Sequence, residues 1–303
     1  MTRVVEHSER IENLGDGVRL DFEESQRYCA ALTRTEAKNF YWGFISLPFE
    51  QRMAIYALYA FAREIDDEVD DPSRSRDDLP RRIEAQRERV RRCVRGHYED
   101  PVMHVLSRVV ERFRIPELEL QWLIDGVEMD VEPREYATWE ELRGYCRLVA
   151  AVIGRLCIRI WGYTDAVALD RAEELGISLQ LINVLRDVRE DFGMGRVYLP
   201  RADRERFGVD ERVLAGGADS DAWHALLQFE AERAIGLYDA GLAVVRYIPY
   251  RAGVCVRSMA GIYRTILERM LADPDRPLRE RVSLTLAEKL RIVLRSWLRA
   301  SNH

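Results

Sequence analysis

Two stretches of this sequence place polar side chains at helical spacing inside segments that are otherwise apolar. Because an α-helix turns about 100° per residue, positions three or four, seven and eleven residues after a starting residue share one face. The positions at this spacing in the first stretch are Tyr59, Arg63, Asp66 and Asp70. Those in the second stretch are Gln180, Asn183, Asp187 and Asp191. The sequence therefore predicts two helices, each presenting two carboxylates one turn apart.

The residues between these polar positions are apolar, as the runs 60–62 and 181–182 illustrate. A surface helix carries charge on one side only, whereas these helices are apolar on nearly every side except the acidic face. We therefore expect buried helices whose carboxylates face an internal cavity. Unpaired carboxylates would repel each other and lose hydration there. Magnesium ions relieve that cost, and all-oxygen ligand sets suit Mg²⁺.

Two further groups of charged residues allow alternative interpretations. One is a third polar face, either extra lining of the cavity or an ordinary amphipathic surface: Gln121, Asp125, Glu128 and Glu132. The other consists of arginines beside the acidic positions, which either grip phosphate oxygens or neutralise their carboxylate neighbours: Arg63, Arg186, Arg189 and Arg196.

Composition limits the class of protein. Of the 303 residues, 47% are hydrophobic, which is enough for a sizeable core. The formal net charge of -6 argues against nucleic acid as a partner. Five cysteines without CxxC spacing indicate reduced thiols in a cytoplasmic protein, and five histidines show no zinc-binding spacing. The charged first 20 residues lack the apolar core of a signal peptide.

Helical periodicity recurs along the chain, without convincing period-two strands. Helices are predicted over 22–37, 48–71, 81–95, 101–113, 116–131, 139–161, 167–190, 221–247, 251–271 and 284–300, with a loop over 193–208. Residues 1–20 show no clear periodicity and are predicted to be a mobile terminus. Residues 21–303 contain no linker or repeat, which indicates a single all-α domain, a helical bundle around a central cavity.

Acidic helices, magnesium ions and neighbouring arginines together describe a site for diphosphate. Carboxylates cannot hold a phosphate group directly, so metal ions must lie between them. Bound magnesium would neutralise a departing diphosphate and promote cleavage of an allylic C–O bond. The remaining carbocation would require a dry, apolar and partly aromatic chamber.

Five motifs between residues 25 and 270 form a specific combination. They are Tyr59-x-x-x-Arg63-x-x-Asp66-Asp67-x-x-Asp70, Gln180-x-x-Asn183-x-x-Arg186-Asp187-x-x-x-Asp191, Gly195-Arg196-Val197-Tyr198-Leu199-Pro200, Asp125-Gly126-Val127-Glu128-Met129-Asp130 and Ala260-Gly261-Ile262-Tyr263-Arg264. This combination resembles the squalene/phytoene synthase family, the head-to-head prenyl synthases. The resemblance implies an all-α isoprenoid-synthase fold, Mg²⁺ dependence, and condensation of two identical prenyl diphosphates through a cyclopropylcarbinyl diphosphate.

The resemblance also implies roles for individual residues. The metal ligands would be Asp66, Asp70, Asn183, Asp187 and Asp191. Tyr59 and Arg63 would join the four aspartates in the catalytic set. Contacts to substrate would come from Lys38, Asn39, Phe40, Gln180, Asn183, Arg186, Arg196, Tyr198 and Tyr263. Many members carry His-Ser-Lys-Ser-Phe where this chain has Glu36-Ala-Lys-Asn-Phe40, so it departs from the family pattern at that contact.

Local matches at 37–44, 153–157 and 185–190 look most like hopanoid-pathway presqualene diphosphate synthases, which join two farnesyl diphosphates. The chain carries no nicotinamide fingerprint, so no NADPH requirement is expected. One alternative is a phytoene synthase, which uses geranylgeranyl diphosphate and serves carotenoid biosynthesis. The other is a non-catalytic helical scaffold of the same fold.

The last predicted helix is basic and amphipathic. Its apolar residues are Leu284, Leu290, Leu294 and Trp297, and its basic residues are Lys289, Arg291, Arg295 and Arg299. Two interpretations are open: peripheral contact with the inner face of the membrane, where oily products must go, or a final piece of the core.

Overall fold

Long helices account for the architecture. The computed structural model of the chain describes residues 20–36, 41–70, 77–131, 134–216 and 220–300. Its helices are α1 Phe22–Glu36, α2 Tyr41–Phe44, α3 Phe49–Asp70, α4 Leu79–Val94, α5 Pro101–Phe113, α6 Glu117–Met129, α7 Trp139–Cys146, α8 Val152–Trp161, α9 Val167–Gly193, α10 Arg201–Phe207, α11 Glu211–Leu214, α12 Ser220–Leu242, α13 Tyr250–Ala272, α14 Arg276–Arg279 and α15 Leu286–Ala300. Within these ranges no strand forms, and one isolated bridge pairs Glu135 with Val197. The predicted all-α class is confirmed.

Helix α9 runs through the middle of the bundle. Its 27 residues span about 40 Å at the α-helical rise. Residues of its first half belong to one hydrophobic cluster, together with side chains of α3, α5 and α8. Residues of its second half belong to another cluster, together with α12 and α13. The second half carries the predicted acidic face, so the site is built on a helix that packs into both hydrophobic clusters.

Small residues let α9 approach its neighbours closely. A methyl group added at Gly241 of α12 would lie 2.3 Å from the backbone nitrogen of Leu175. The Ser178 hydroxyl of α9 donates a 2.7 Å hydrogen bond to the Ala234 carbonyl of α12. The two helices are therefore packed with their backbones almost in contact along this crossing.

The predicted helix 139–161 is interrupted in the middle by a π-helical segment, Arg147–Ala151. A methyl group at Gly126 would lie 2.9 Å from the Leu148 carbonyl carbon, and one at Gly176 would lie 2.6 Å from the Ala151 Cα. The segment is thus held between α6 and α9. Such π-bulges occur frequently at functional sites, and this one borders the cavity described below.

Two predicted boundaries need correction. The segment 193–208, predicted as a loop, contains α10, which begins after Pro200 and ends at Gly208 in a left-handed conformation with φ of 72°. Seven residues are too few for an apolar period to be read from sequence. The helix predicted over 221–247 ends as an α-helix at Leu242 and continues as a short 3₁₀ turn, Ala243–Arg246.

The third polar face packs against a neighbouring helix. Arg87 of α4 forms ion pairs with Asp125 at 2.6 Å and with Glu128 at 2.7 Å. The Gln121 amide donates a hydrogen bond of 3.2 Å to the Arg87 carbonyl. These three residues pair with α4 and are not among the lining residues of the cavity described below, whereas Glu132 lies outside the described residues.

Two expectations have no structural outcome. The predicted mobile terminus, residues 1–20, falls almost entirely outside the described residues, and the single domain over 21–303 stays a prediction.

Among the helices described, none is long and apolar enough to cross a membrane.

Candidate active site

An apolar cavity of about 200 Å³ lies between α8, α9 and α13. Most of its lining is aliphatic or aromatic, including Ile153, Leu179 and Met259. The polar groups that reach it come from Gln180 and Asn183 of α9, and Tyr263 of α13 adds a hydroxyl. The predicted chamber therefore exists, and the start of the second acidic face opens into it.

The cavity has a polar end and an apolar end. Helices α8 and α9 pack antiparallel, because Gly154 lies beside Ala172 whereas Ala151 lies beside Gly176. Trp161, the last residue of α8, therefore lies far along α9 from Asn183, and it also lines the cavity. Asn183 and Ala172 are separated by about 16 Å along the helix axis, at the rise of an α-helix. Trp161 thus lines the apolar end.

The polar end is a small hydrogen-bonded group. The Asn183 amide donates to the Gln180 side-chain oxygen at 3.2 Å. Tyr263 is buried, and its hydroxyl accepts hydrogen bonds from Asn183 and Arg186. Burial raises the pKa of the Tyr263 phenol, although the Arg186 charge opposes this. The Asn183 side-chain oxygen is buried without a hydrogen-bond partner, so this oxygen remains available as a metal ligand.

Asp187 lies one turn beyond Asn183 and is held by two arginines. The Arg186 Nε and Nη2 atoms donate to its two carboxylate oxygens at 2.8 Å and 2.5 Å. Arg281, which follows α14, adds an ion pair of 3.0 Å. Sequence reasoning missed Arg281, because a residue 94 positions away in the chain leaves no local pattern. Arg186 therefore neutralises a neighbouring carboxylate in this structure. This is one of the two interpretations given above for the arginines beside the acidic face.

Asp191 is the most perturbed carboxylate of the second acidic face. Burial raises its pKa to about 7, the Asp187 charge adds to that effect, and the Arg196 charge opposes it. The Arg196 backbone nitrogen donates to the Asp191 carbonyl at 2.8 Å, so the loop after α9 folds back over the helix end. Arg196 and Tyr198 line a small cleft with Asp191. The structure thus brings these three predicted residues together.

A cluster of three tyrosines surrounds Asp130 beside this cleft, and two of them bind its carboxylate. The hydroxyls of Tyr145 and Tyr198 donate to the two Asp130 oxygens at 2.9 Å and 3.0 Å. Tyr136 stacks on Tyr198 with ring centroids 6.1 Å apart. Burial, and next the Asp130 charge, raises the pKa of each phenol. Asp130 ends a motif recognised in the sequence, but only the fold reveals that it anchors Tyr198.

The first acidic face lies at the end of α3. Tyr59 is partly buried, which raises the pKa of its phenol to about 12. Arg63 pairs with Asp67 at 2.6 Å, and Asp66 is partly buried. Asp70 is the last residue of α3, and its side chain lies outside the described part of the chain. Lys38, Asn39 and Phe40 also lie outside the described residues.

The described contacts connect α3 to the cavity through α8, which packs against both α3 and α9. They do not bring Asp66 into contact with Asp187 or Asp191. Convergence of the two acidic faces on shared magnesium ions therefore stays a prediction.

The donor chemistry of the second acidic face fits a magnesium ion. Asn183 offers a buried oxygen without a partner, and Asp187 and Asp191 offer carboxylates on successive turns. A nearby cation would restore the charge of Asp191, whose raised pKa reflects burial. In the described part of the chain, however, no three acidic, histidine or cysteine side chains are gathered closely enough to hold an ion. The ligands fit Mg²⁺ in type, and Asp187 would have to leave its arginine partners.

Comparison with known proteins agrees with this geometry. Residues 33–288 match the model of the squalene/phytoene synthase family. A phytoene synthase from Mycobacterium bovis is 37% identical over 277 residues, covering 90% of each chain. A presqualene diphosphate synthase from Rhodopseudomonas palustris is 34% identical over 260 residues, covering 84% of this chain and 91% of that protein.

A solved structure points the same way. The crystal structure of a dehydrosqualene synthase in complex with a ligand superposes with a TM-score of 0.83 at 26% identity, covering 93% of this chain and 98% of the other. The fold is therefore the predicted isoprenoid-synthase bundle around a central cavity. The match to the family model covers the helices that build the cavity and carry both acidic faces. The chain therefore belongs to the squalene/phytoene synthase family.

Proposed function

We propose that this protein joins two molecules of farnesyl diphosphate head to head, forming presqualene diphosphate with release of one diphosphate and one proton. The coarser statement follows from family membership: the chain is a prenyltransferase that condenses two prenyl diphosphates. The choice of farnesyl over the longer geranylgeranyl chain is the proposal. The observation that carries it is the position of the bulky Trp161 side chain at the apolar end of the cavity.

The shape of the cavity supports this choice. An isoprenoid chain with its diphosphate near Asn183 would extend along α9 toward Ala172, a distance of about 16 Å by helix rise. Ile158 and Trp161 line the cavity at that end. A longer chain would have to displace the Trp161 indole, which is buried against the core.

The polar end supplies groups suited to the diphosphate. Magnesium held by Asp66, Asp70, Asn183, Asp187 and Asp191 would neutralise the charge of the leaving diphosphate. Arg281 is half-exposed beside Asp187, so it can turn toward a phosphate group without unfolding any element. Aliphatic side chains around Leu179 and Met259 exclude water from the carbocation.

A product assay tests the proposal. The purified protein is incubated with Mg²⁺ and an equal mixture of farnesyl and geranylgeranyl diphosphate, without NADPH, and products are identified by mass spectrometry. The proposal expects presqualene diphosphate as the main product. Condensation of geranylgeranyl diphosphate as the main reaction would contradict it. No condensation product from either substrate would indicate the non-catalytic scaffold.

Phytoene synthase is the second candidate, because the Mycobacterium bovis relative that bears this name is 37% identical over 90% of this chain. Both candidates use the same acidic faces, and a geranylgeranyl chain requires a deeper cavity than a farnesyl chain. The same assay separates them, since each predicts a different preferred substrate.

A further inference from the structure

Helix α15 exposes a row of leucines to solvent. Leu286, Leu290, Leu294 and Leu298 follow one another at four-residue spacing and are 55%, 42%, 61% and 62% exposed. This spacing places them on one face that turns gradually around the helix. Soluble proteins rarely expose contiguous apolar patches of this kind unless the patch binds something.

The leucine row lies on a different face of α15 from the one that packs on the core. Ser296 is buried, and a methyl group added at Gly261 of α13 would lie 2.8 Å from the Ile292 side chain. The inner face of α15 is therefore packed tightly against α13. Leu284, which the sequence assigned to the amphipathic face, is buried and precedes the helix.

Arginines form a parallel row beside the leucines. Arg291 and Arg295 each follow an exposed leucine by one residue, so they lie about 100° further around the helix. Both are exposed. The single acidic residue of α15, Glu288, is neutralised by an ion pair with Arg269. The exposed side of α15 is thus a leucine face with a positively charged border.

Two neighbouring residues extend this apolar surface. Tyr250, 44% exposed, makes an edge contact with Trp297 at 6.0 Å and donates a hydrogen bond of 3.3 Å to its carbonyl. Ile45, 45% exposed, precedes Ser46, whose hydroxyl donates to the Arg251 carbonyl at 3.1 Å. The leucine surface is defined here as Leu286, Leu290, Leu294, Leu298, Tyr250 and Ile45.

We propose that the leucine surface docks on an anionic lipid bilayer, with α15 lying in the plane of the interface. Leucines would enter the acyl boundary, and Arg291 and Arg295 would remain at the level of the headgroups. A second copy of this chain is disfavoured as the occupant, because a symmetric contact would bring two rows of arginine together. An anionic surface offers the complementary charge.

The position of the leucine surface relative to the cavity agrees with this orientation. Helix α13 separates the two, since Met259 lines the cavity whereas Gly261 contacts α15. Gly43, two residues before Ile45, lies against the Met259 side chain of α13. The bilayer would therefore lie one helix away from a chamber suited to isoprenoid chains.

Vesicle sedimentation of the full-length protein tests the proposal without any substrate. Vesicles are made from phosphatidylcholine alone or from phosphatidylcholine with phosphatidylglycerol. The intact protein is expected to bind the anionic vesicles. Leu290→Gln/Leu294→Gln should weaken binding about tenfold or more, because two leucines would no longer transfer from water into the bilayer. The control is Leu118→Gln, another exposed leucine, on α6.

A second pair of variants tests the charged border. Arg291→Gln/Arg295→Gln should lose the preference for anionic vesicles, at roughly fivefold per arginine. Arg108→Gln/Arg143→Gln removes the same charge from other exposed positions and should bind like the intact protein. Circular dichroism and turnover of detergent-dispersed substrate should be unchanged in all variants.

Three outcomes would overturn the proposal. One is failure of the intact protein to sediment with anionic vesicles. Another is equal binding by the leucine variant and its control. The third is a dimer, detected by light scattering, that Leu290→Gln/Leu294→Gln dissociates, because the face would then bind a second copy of the chain.

Discussion

Asp187 lies at the point where the apolar cavity meets the charged groups. It follows Asn183 by one helical turn and carries two arginine partners in this structure. A carboxylate balanced in this way can exchange its arginines for a metal ion, since all three are cations. Among the predicted ligands it is therefore the most direct one to test.

Replacing Asp187 with asparagine should lower turnover by about 10²-fold or more, because a key electrostatic group is lost. Steady-state release of diphosphate gives the rate, and the melting temperature reports the fold. Asp170→Asn, an exposed position in the first turn of the same helix, is the matched control. A near-normal rate for Asp187→Asn would argue against the metal assignment.

Trp161 lines the apolar end of the cavity, and its substitution tests the proposed choice of substrate. Trp161→Ala should raise the ratio of geranylgeranyl to farnesyl condensation by about tenfold, since a pocket discriminates by the volume it offers. The large-to-small change also costs about 3–5 kcal/mol of stability. The product ratio in a mixed-substrate assay is therefore the measurement. Trp161→Phe is the control, because it keeps an aromatic ring at this position. An unchanged ratio would place the end of the site elsewhere.

Close approach between helices is the main feature at the scale of the elements. Glycines stand where α9 crosses its neighbours, and each added methyl group would meet backbone rather than a flexible side-chain end. The π segment between α6 and α9 belongs to the same arrangement. Such crossings hold the cavity wall rigid because the backbones cannot move apart without losing packing.

Gly241→Ala should destabilise the protein by about 1–3 kcal/mol, because its methyl group would force α12 away from Leu175. Gly236→Ala, on the same helix with open space around it, should instead stabilise by about 1 kcal/mol. Urea unfolding followed by circular dichroism compares the two. Equal stability of the two variants would contradict the tight crossing.

Helix boundaries show how far periodicity carries a prediction. Periodicity predicts a helix over residues 101–113, and the helix has the same bounds in the structure. Asp100 caps it, Pro101 begins it and Arg114 ends it in a left-handed conformation. The π segment and the short helix α10 were not predicted. Both depend on packing partners far away in sequence rather than on a local apolar period.

Buried carboxylates link pH to the stability of the whole molecule. Glu230 of α12 is buried, and Arg233 bridges it at 2.7 Å to Asp203 at 2.9 Å. Burial raises the pKa of Glu230 to about 7, although Arg233 opposes this. The folded state therefore holds a proton that the unfolded state releases near its ordinary pKa of 4.5. The stabilisation is present at low pH and is lost as pH rises through about 7.

Glu230→Gln removes this titration while keeping the size of the side chain. The melting temperature of the variant, relative to the natural protein, should rise between about pH 5 and about pH 7 and then level off. Glu232→Gln, an exposed position on the same helix, should show no such trend. A constant difference across this range would mean that Glu230 is ionised throughout.

Periodicity and residue chemistry alone determined the all-α class, the two acidic faces and the apolar chamber between helices. They could do so because burial imposes a helical period on apolar residues, and because carboxylates inside such a pattern require cations. The motifs added the family and its head-to-head chemistry.

Only the tertiary structure decided which distant residues meet. It brought Arg281 onto Asp187, gathered Tyr145 and Tyr198 on Asp130, and placed Trp161 at the apolar end of the cavity. It also turned the leucines of α15 outward while their neighbours packed against α13. These contacts join residues far apart along the chain, and their energies depend on how helices cross, which no local pattern encodes.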